Sequence, residues 1–388
     1  MKKKGIWILA SLIVTLGLVI GALGCAAPAA TPTPTATPTE APKPVISIKY
    51  DTYQTPTNRD SVCHQWFFDQ LIERSAKLGY TVEVEYYWAQ ALSPTGRQLY
   101  SVRDGIAQAA QCSEGYYPSQ LPLHQGLNPN YVSMNEAAFA LAQGEVYNTH
   151  YPLQYEWEVK NNVKVLAIPP SGEVTMWLKE GQTAFGHEDL AGLKIRAYGQ
   201  TGACLELLGA TPVGIPFPDT YEAIERGVVD GAFGVPFGVA ANAAFYEVAP
   251  VIVETGAGHY ADFPLIFNLQ FYDNLPQEIK DIITGLGPEM VKYTISYNQQ
   301  DDTNAVETCH AAGSKFIYWS DDAIAAAAEL VQPAQAQAWA DRVAEKGFDG
   351  MDLYNTLVSK VRALEPVSAY TSAFDYWRAT YPEDEIKP

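Results

Sequence analysis

Positive charge is scarce in this chain: 25 lysines and arginines stand against 44 aspartates and glutamates, a formal net charge of -19. So acidic a surface repels nucleic acid and anionic lipid, and neither is an expected partner. Cysteine is scarce as well, at five, and no two form a CxxC pair, so zinc and thioredoxin-like chemistry have no foothold. The six histidines, His64, His124, His150, His187, His259 and His310, are scattered without HExxH or similar spacing. No catalytic metal is expected. A GxSxG elbow and a P-loop are absent, and Gly256-Ala257-Gly258 lacks the third glycine of a dinucleotide fingerprint, so no cofactor is expected. Carboxylates are numerous, and a secreted hydrolase with paired cleft carboxylates stays open as an alternative.

Long apolar runs are nearly absent too. The exception is N-terminal: Lys2, Lys3 and Lys4 precede an apolar stretch over 6–20, and small residues lead to Cys25. This order is that of an export signal, which plays no part in the fold. An uncleaved membrane anchor is the competing reading, since residues 5–23 nearly reach the ~20 residues of a span. Ala22-Leu23-Gly24-Cys25 resembles the lipobox of bacterial lipoproteins. The resemblance implies cleavage at residue 25, a lipid on Cys25 and a place outside the cytoplasm, in the periplasm or on the cell surface, anchored to the membrane. Residues 26–44 are almost all Ala, Pro and Thr. They cannot bury a core and read as a linker, up to roughly 55 Å long if extended at ~3.1 Å per residue.

Four cysteines remain, Cys63, Cys112, Cys204 and Cys309. An even number outside the cytoplasm suggests disulfides, with Cys63–Cys112 the favoured pair and buried thiols the alternative. From residue 45 onward, β-branched alternation over 45–50, helical spacing over 58–78 and a second strand over 81–87 open a β-α-β series, continued by a helix over 97–103 and a strand over 106–110. A helix over 135–160 follows. After strands at 163–168 and 174–179, a second such series begins at 193–198 and runs through 212–215 and 228–233. Further strands are expected at 251–254, 265–272 and 315–318, and a helix over 276–312 is long enough to cross from one half to the other. The pattern predicts an α/β fold of two lobes, each a mostly parallel sheet flanked by helices, with the ligand at the carboxyl ends of the strands. Lobe I is expected to comprise 45–171 and about 260–299, and lobe II 172–259 and about 300–388.

Arg196 stands at the end of a predicted strand, followed by Gly199 and a helix start near Thr201. A guanidinium there can pair with a carboxylate, aided by helix N-terminal donors; the structural alternative is a surface ion pair. The stretch around it resembles the dicarboxylate-binding (DctP-like) extracytoplasmic solute-binding proteins of TRAP transporters. The resemblance rests on Gly192-Leu193-Lys194-Ile195-Arg196, on Leu208-Gly209-Ala210-Thr211-Pro212-Val213, and on Tyr221, Ala223, Gly227, Val229, Asp230 and Gly231. Arg103-Asp104-Gly105 and Leu275-Pro276 extend it over nearly the whole folded region.

It implies a non-enzymatic, two-lobed protein that closes on an organic acid and delivers it to a TRAP permease in the membrane. The family's carboxylate-clamping arginine falls on Arg196, and Tyr221 falls near a position that lines the cleft. Three departures stand out: Gly234 occupies the position of a family asparagine, Glu173 and Val174 stand where a second arginine is expected, and Gln108 replaces an aspartate. The cargo is then a monocarboxylate held by Arg196, or a less acidic compound contacted by Glu173 and the aromatic residues Trp88, Tyr116, Tyr117 and Trp177.

Overall fold

The structure, a computed structural model, describes residues 43–259 and 263–388. Cys25, the signal and residues 26–42 of the linker lie outside the described residues.

The chain opens with β1 (Val45–Asp51), α1 (Arg59–Lys77), β2 (Thr81–Tyr87), α2 (Gln98–Arg103) and β3 (Ala109–Gln111). Two helices follow, α3 (Glu136–Thr149) and α4 (Tyr151–Asn161), then β4 (Val163–Ala167) and β5 (Val174–Leu178). The second series is β6 (Lys194–Arg196), α5 (Gly199–Leu207), β7 (Thr211–Val213), α6 (Thr220–Glu225), β8 (Gly231–Pro236), α7 (Phe237–Asn242), α8 (Phe245–Val248) and β9 (Val251–Glu254). The chain then passes through β10 (Leu265–Asn268), α9 (Leu269–Asp273), α10 (Gln277–Ala311) and β11 (Lys315–Tyr318). It ends in α11 (Asp321–Ala344), α12 (Gly350–Leu364) and α13 (Ala373–Thr380).

These strands form two sheets, ordered β2-β1-β3-β10-β4 and β11-β9-β5-β8-β6-β7. In each, one strand runs against its neighbours: β10 is antiparallel to β3 and β4, and β5 to β8 and β9. Each directly follows a strand of the other sheet, β10 after β9 and β5 after β4. The two-lobed, mostly parallel architecture is as the alternation predicts.

Local chemistry explains the element ends. Asn58 accepts a hydrogen bond from the backbone N–H of Asp60 and starts α1, whose Cys63, Phe67, Phe68 and Leu71 turn one buried face to the first sheet. Each such large apolar side chain contributes about 1.5–3 kcal/mol on full burial. The single helix expected over 135–160 is two, because the chain turns at His150 and restarts with Pro152 in the first turn of α4. The strand expected over 265–272 stops at Asn268, whose side chain accepts from the Phe271 N–H and caps α9.

Helix α10 does cross between the lobes. Its Ile279, Ile283, Leu286 and Met290 join the core under the first sheet, while Ala305, Val306 and Cys309 join a core of the second. Helix α11 crosses as well: Ala327 and Val331 pack with the second sheet, Trp339 and Val343 with Phe139 and Trp157 of the first lobe. Leu353, Leu357 and Val361 of α12 join that same first-lobe core. Residues 339–364 thus pack apart from the second lobe with which the pattern grouped them, since apolar periodicity marks a buried face but not which core receives it.

The Cys63–Cys112 disulfide does not form. Cys63, Cys112, Cys204 and Cys309 are buried thiols, one in each of four separate apolar clusters, so none meets another.

Beneath the junction of the lobes lies a group of buried acids. Burial raises the carboxyl of Asp60 to about 7, of Glu136 to about 8 and, outweighing the pull of Arg59, of Asp302 to about 6. Burial and then Glu254 raise Glu173 well above the carboxylate range, and burial raises Glu254. A raised folded pKa costs nothing below the unfolded value near 4–4.5 and a growing amount as pH rises toward the folded value. Buried His64, held to about 3 by burial, acts oppositely below pH 6.5. The carboxyls outnumber it, so the melting temperature is expected to rise as pH falls from 8 to 5. Differential scanning calorimetry checks this, and a flat or falling profile over that window contradicts it.

Candidate ligand-binding site

At the carboxyl ends of β1, β6 and β8 the two lobes meet around a small pocket. Tyr53 and Gln54 come from the loop after β1, Arg196 from the end of β6, and Tyr198 from the turn into α5. Phe217, Gly234, Val235, Pro236, Val239 and Phe263 complete the lining. Parallel strands place their ends and the following helix starts at one edge, which is why residues distant in sequence converge there.

Arg196 is 1% exposed. Its Nε donates to the Ile215 carbonyl at 2.9 Å, while its Nη2 has no hydrogen-bond partner. The guanidinium lies 4.7 Å from the centre of the Tyr198 ring, a cation–π contact that orients it. Tyr198 in turn stacks on Tyr116, with ring centres 4.4 Å apart and an angle of 6°. Its hydroxyl pairs with Ser113 Oγ at 3.1 Å, and the Tyr116 hydroxyl accepts from the Phe217 N–H at 3.2 Å. Tyr53 meets Tyr116 edge to face at 6.0 Å. First-lobe Tyr53, Ser113 and Tyr116 therefore touch second-lobe Tyr198 and Phe217, and the lobes are closed on one another.

The surface ion pair weighed for Arg196 is not what forms: no carboxylate lies against it among the ion pairs of the described residues. A guanidinium stays charged in proteins, and a buried one with an unused donor is costly unless an acceptor reaches it. The pocket volume at this point is ≈ 10 Å3, and a second chamber of ≈ 250 Å3 adjoins it, sharing Tyr53, Gln54 and Phe217.

Of the other residues singled out in the sequence, Gly234 lines the pocket, Tyr116 supports it from behind Tyr198, and Tyr221 lines the second chamber with its hydroxyl donating to Glu247 at 2.7 Å. Four are elsewhere. Trp88 stacks on Tyr86 at 4.8 Å and packs with Tyr50 in the first lobe. Trp177 is fully buried under the second sheet, its indole N–H donating to Thr175 Oγ1 at 2.7 Å. Tyr117 is a core residue whose hydroxyl accepts from the Leu99 N–H. Glu173 lies among the buried acids, neutralised by burial, and does not replace a second arginine. Strand-end position is what Trp88 and Glu173 shared with true pocket residues; which face the side chain takes is a matter of register.

The residues that sequence reasoning missed are Tyr53, Gln54, Tyr198, Phe217 and Phe263. Tyr198, two residues after Arg196 at a strand-to-helix turn, carried a local signal. Tyr53 and Phe263 carried none, since loop length alone brings them in.

Gly234 has a structural reason. Its φ is +78°, and a Cβ there would stand 2.5 Å from Thr201 Oγ1. Left-handed backbone costs a non-glycine residue roughly 1–2 kcal/mol, and the Thr201 contact adds to it. Gly234→Ala is expected to lower the unfolding free energy measured in urea by at least that amount, with a lower midpoint, and Thr201→Ala in the same chain to recover part of the loss. An unchanged midpoint in the single variant contradicts the argument.

Among the described residues no group of three or more His, Cys, Asp or Glu is placed to hold a metal. Two lobes closing on a buried, partly unpaired guanidinium and a set of aromatic rings define a binding protein for a small solute. Residues 66–342 match the DctP family, the bacterial extracellular solute-binding proteins of family 7, and the chain belongs to that family. It is a binding protein and not an enzyme, which removes the hydrolase alternative. A solute-binding protein of Albidiferax ferrireducens is 26% identical over 269 residues, covering 67% of this chain and 75% of its own. The ectoine-binding periplasmic protein TeaA of Halomonas elongata is 22% identical over 289 residues, covering 72% and 82%. Among solved structures, a TRAP solute-binding protein of Rhodoferax ferrireducens in complex with copurified benzoate superposes with TM-score 0.75 at 23% identity, over 84% of this chain and 100% of its own. A marine metagenome TRAP solute-binding protein specific for aromatic acid ligands gives 0.74 at 21%, over 82% and 98%.

Proposed function

We propose that this chain is the extracytoplasmic receptor of a TRAP-type transporter, that it captures a small monocarboxylate with an aromatic body, and that it hands this cargo to membrane permease subunits. The observation that carries the reading is the Arg196 guanidinium: buried, oriented by Ile215 and Tyr198, with Nη2 unused inside an otherwise aromatic pocket. A carboxylate fits that donor, and Tyr53 and Phe217, which also line the adjoining chamber, suit the aromatic body. The benzoate-bound and aromatic-acid-specific structural relatives support the same class. Binding shifts the open and closed populations of the lobes, because the ligand contacts both only when they close. A lipid on Cys25, with the Ala/Pro/Thr linker as tether, keeps the receptor beside its permease at an effective concentration of order millimolar.

Titration calorimetry on the mature protein tests the carboxylate. Benzoate is expected to bind and its neutral isostere benzamide to bind at least tenfold more weakly. Equal affinities for the two would overturn the role given to Arg196.

A further inference from the structure

The pocket at Arg196 is too small for a whole ligand. At ≈ 10 Å3 it holds about one water-sized group, hence a carboxylate and no ring. Any ligand body must continue past Tyr53, Gln54 and Phe217 into the adjoining ≈ 250 Å3 chamber. That chamber presents four rings, Tyr53, Phe217, Tyr221 and Phe245. We propose that the second chamber is a distal subsite, and that the cargo is an arylalkanoate: a carboxylate on Arg196, a short flexible spacer between Tyr53 and Phe217, and a ring among Tyr221 and Phe245. The inference rests on the carboxylate reading of Arg196.

Charge narrows the class further. Among the described residues, Arg196 is the only basic one lining either chamber. At the outer one, Tyr221 is already bonded to Glu247, and the Asn242 amide donates to Asp301 Oδ2 at 3.2 Å. A second carboxylate on the ring finds no basic side chain in the lining of that chamber among the described residues, so a dicarboxylate is disfavoured. Asn242 spends its N–H on Asp301, which leaves its carbonyl oxygen to accept from a ligand hydroxyl. A hydroxyl at the far end of the ring is therefore favoured over a carboxylate there.

Calorimetry with four acids tests the subsite: benzoate, 3-phenylpropionate, 3-(4-hydroxyphenyl)propionate and 3-(4-carboxyphenyl)propionate. The expected order places 3-phenylpropionate at least tenfold tighter than benzoate, the 4-hydroxy compound several-fold tighter again, and the 4-carboxy compound weakest of the three arylpropionates. Thr57 is exposed and lines only the outer chamber, so Thr57→Trp fills that chamber without touching Arg196. It is expected to weaken 3-phenylpropionate at least tenfold. Asn242→Ala should remove the advantage of the hydroxyl alone. If none of the acids binds, the carboxylate reading itself falls. If benzoate binds as tightly as 3-phenylpropionate, or Thr57→Trp leaves the arylpropionates unchanged, the distal subsite falls while the role of Arg196 stands.

Discussion

Arg196→Ala is expected to weaken binding of an aromatic carboxylate by roughly 30-fold to several thousand-fold, since truncating one side of a buried, hydrogen-bonded charge pair costs about 2–5 kcal/mol. The loss is steep because nothing else lining the pocket carries positive charge. Arg196→Lys should recover only part of it: an ammonium is a point charge, cannot donate to Ile215 and a carboxylate from one plane, and stacks less well on Tyr198. Without ligand the effect on stability has the other sign or none. The native guanidinium is buried with Nη2 unpartnered, and removing an unsatisfied charge relieves a desolvation cost. Thermal melts with and without ligand separate the two effects. An Arg196→Ala protein that binds with native affinity, or that melts far below the native chain without ligand, contradicts this assignment.

The second large effect lies beneath the pocket. Arg59 is fully buried at the start of α1 and joins it to the loop after β4 and to α10: Nη1 donates to the Ser171 carbonyl at 3.2 Å, Nη2 to the Asn298 carbonyl at 2.8 Å, and the guanidinium pairs with Asp302 at 2.9 Å and Asp301 at 3.2 Å. Asp302 also accepts from the Gly238 N–H of α7 at 3.2 Å. So one arginine ties the loop that carries Tyr53 and Gln54 to the helix that carries Val239, across the lobe junction. Gly172 and Gly238 let it in, for a Cβ at either would stand 3.1 or 2.8 Å from its Nη1.

Arg59→Leu leaves Asp302 buried without its cation and is expected to cost about 3–5 kcal/mol in urea denaturation near pH 8. The penalty should shrink toward pH 5, because Asp302, pushed up to about 6, then becomes neutral. The double variant Arg59→Leu/Asp302→Leu should regain part of the loss, as apolar pairs replace buried ion pairs at little cost. A loss under about 1 kcal/mol, or one that grows toward pH 5, is incompatible with this account.

How much of this was legible beforehand differs from residue to residue. Alternation and helical spacing marked α1, β2, β5, α10 and β11 closely, because each needs only a local period and a cap or glycine at its end. The place of Arg196 was legible, at a strand end before a helix start within a surrounding motif. Arg59 was not: in sequence it is one more charged residue in the first turn of a helix, and only the approach of Ser171, Asn298 and Asp302 buries it. Trp88 and Trp177 misled for the converse reason. They stand at strand ends or in strands where pocket residues also stand, yet the pleat turns one toward Tyr86 and the other under the second sheet. Cys63 and Cys112 looked like a pair by count alone, and their distance is set by which apolar cluster each joins.

By itself, then, the sequence determined the class of this protein: two α/β lobes joined by a long helix, an acidic composition, and one arginine at a strand end before a helix start. These are consequences of periodicity, composition and local position, which act over a few residues. Tertiary structure alone decided that Glu173 is one of a group of buried acids, that Gly234 makes room for Thr201, that Arg59 bridges the lobe junction, and that Tyr53 and Phe217 stand between a small chamber at Arg196 and a larger one. Those outcomes depend on desolvation, register and close approach between segments distant in the chain, which no local pattern encodes.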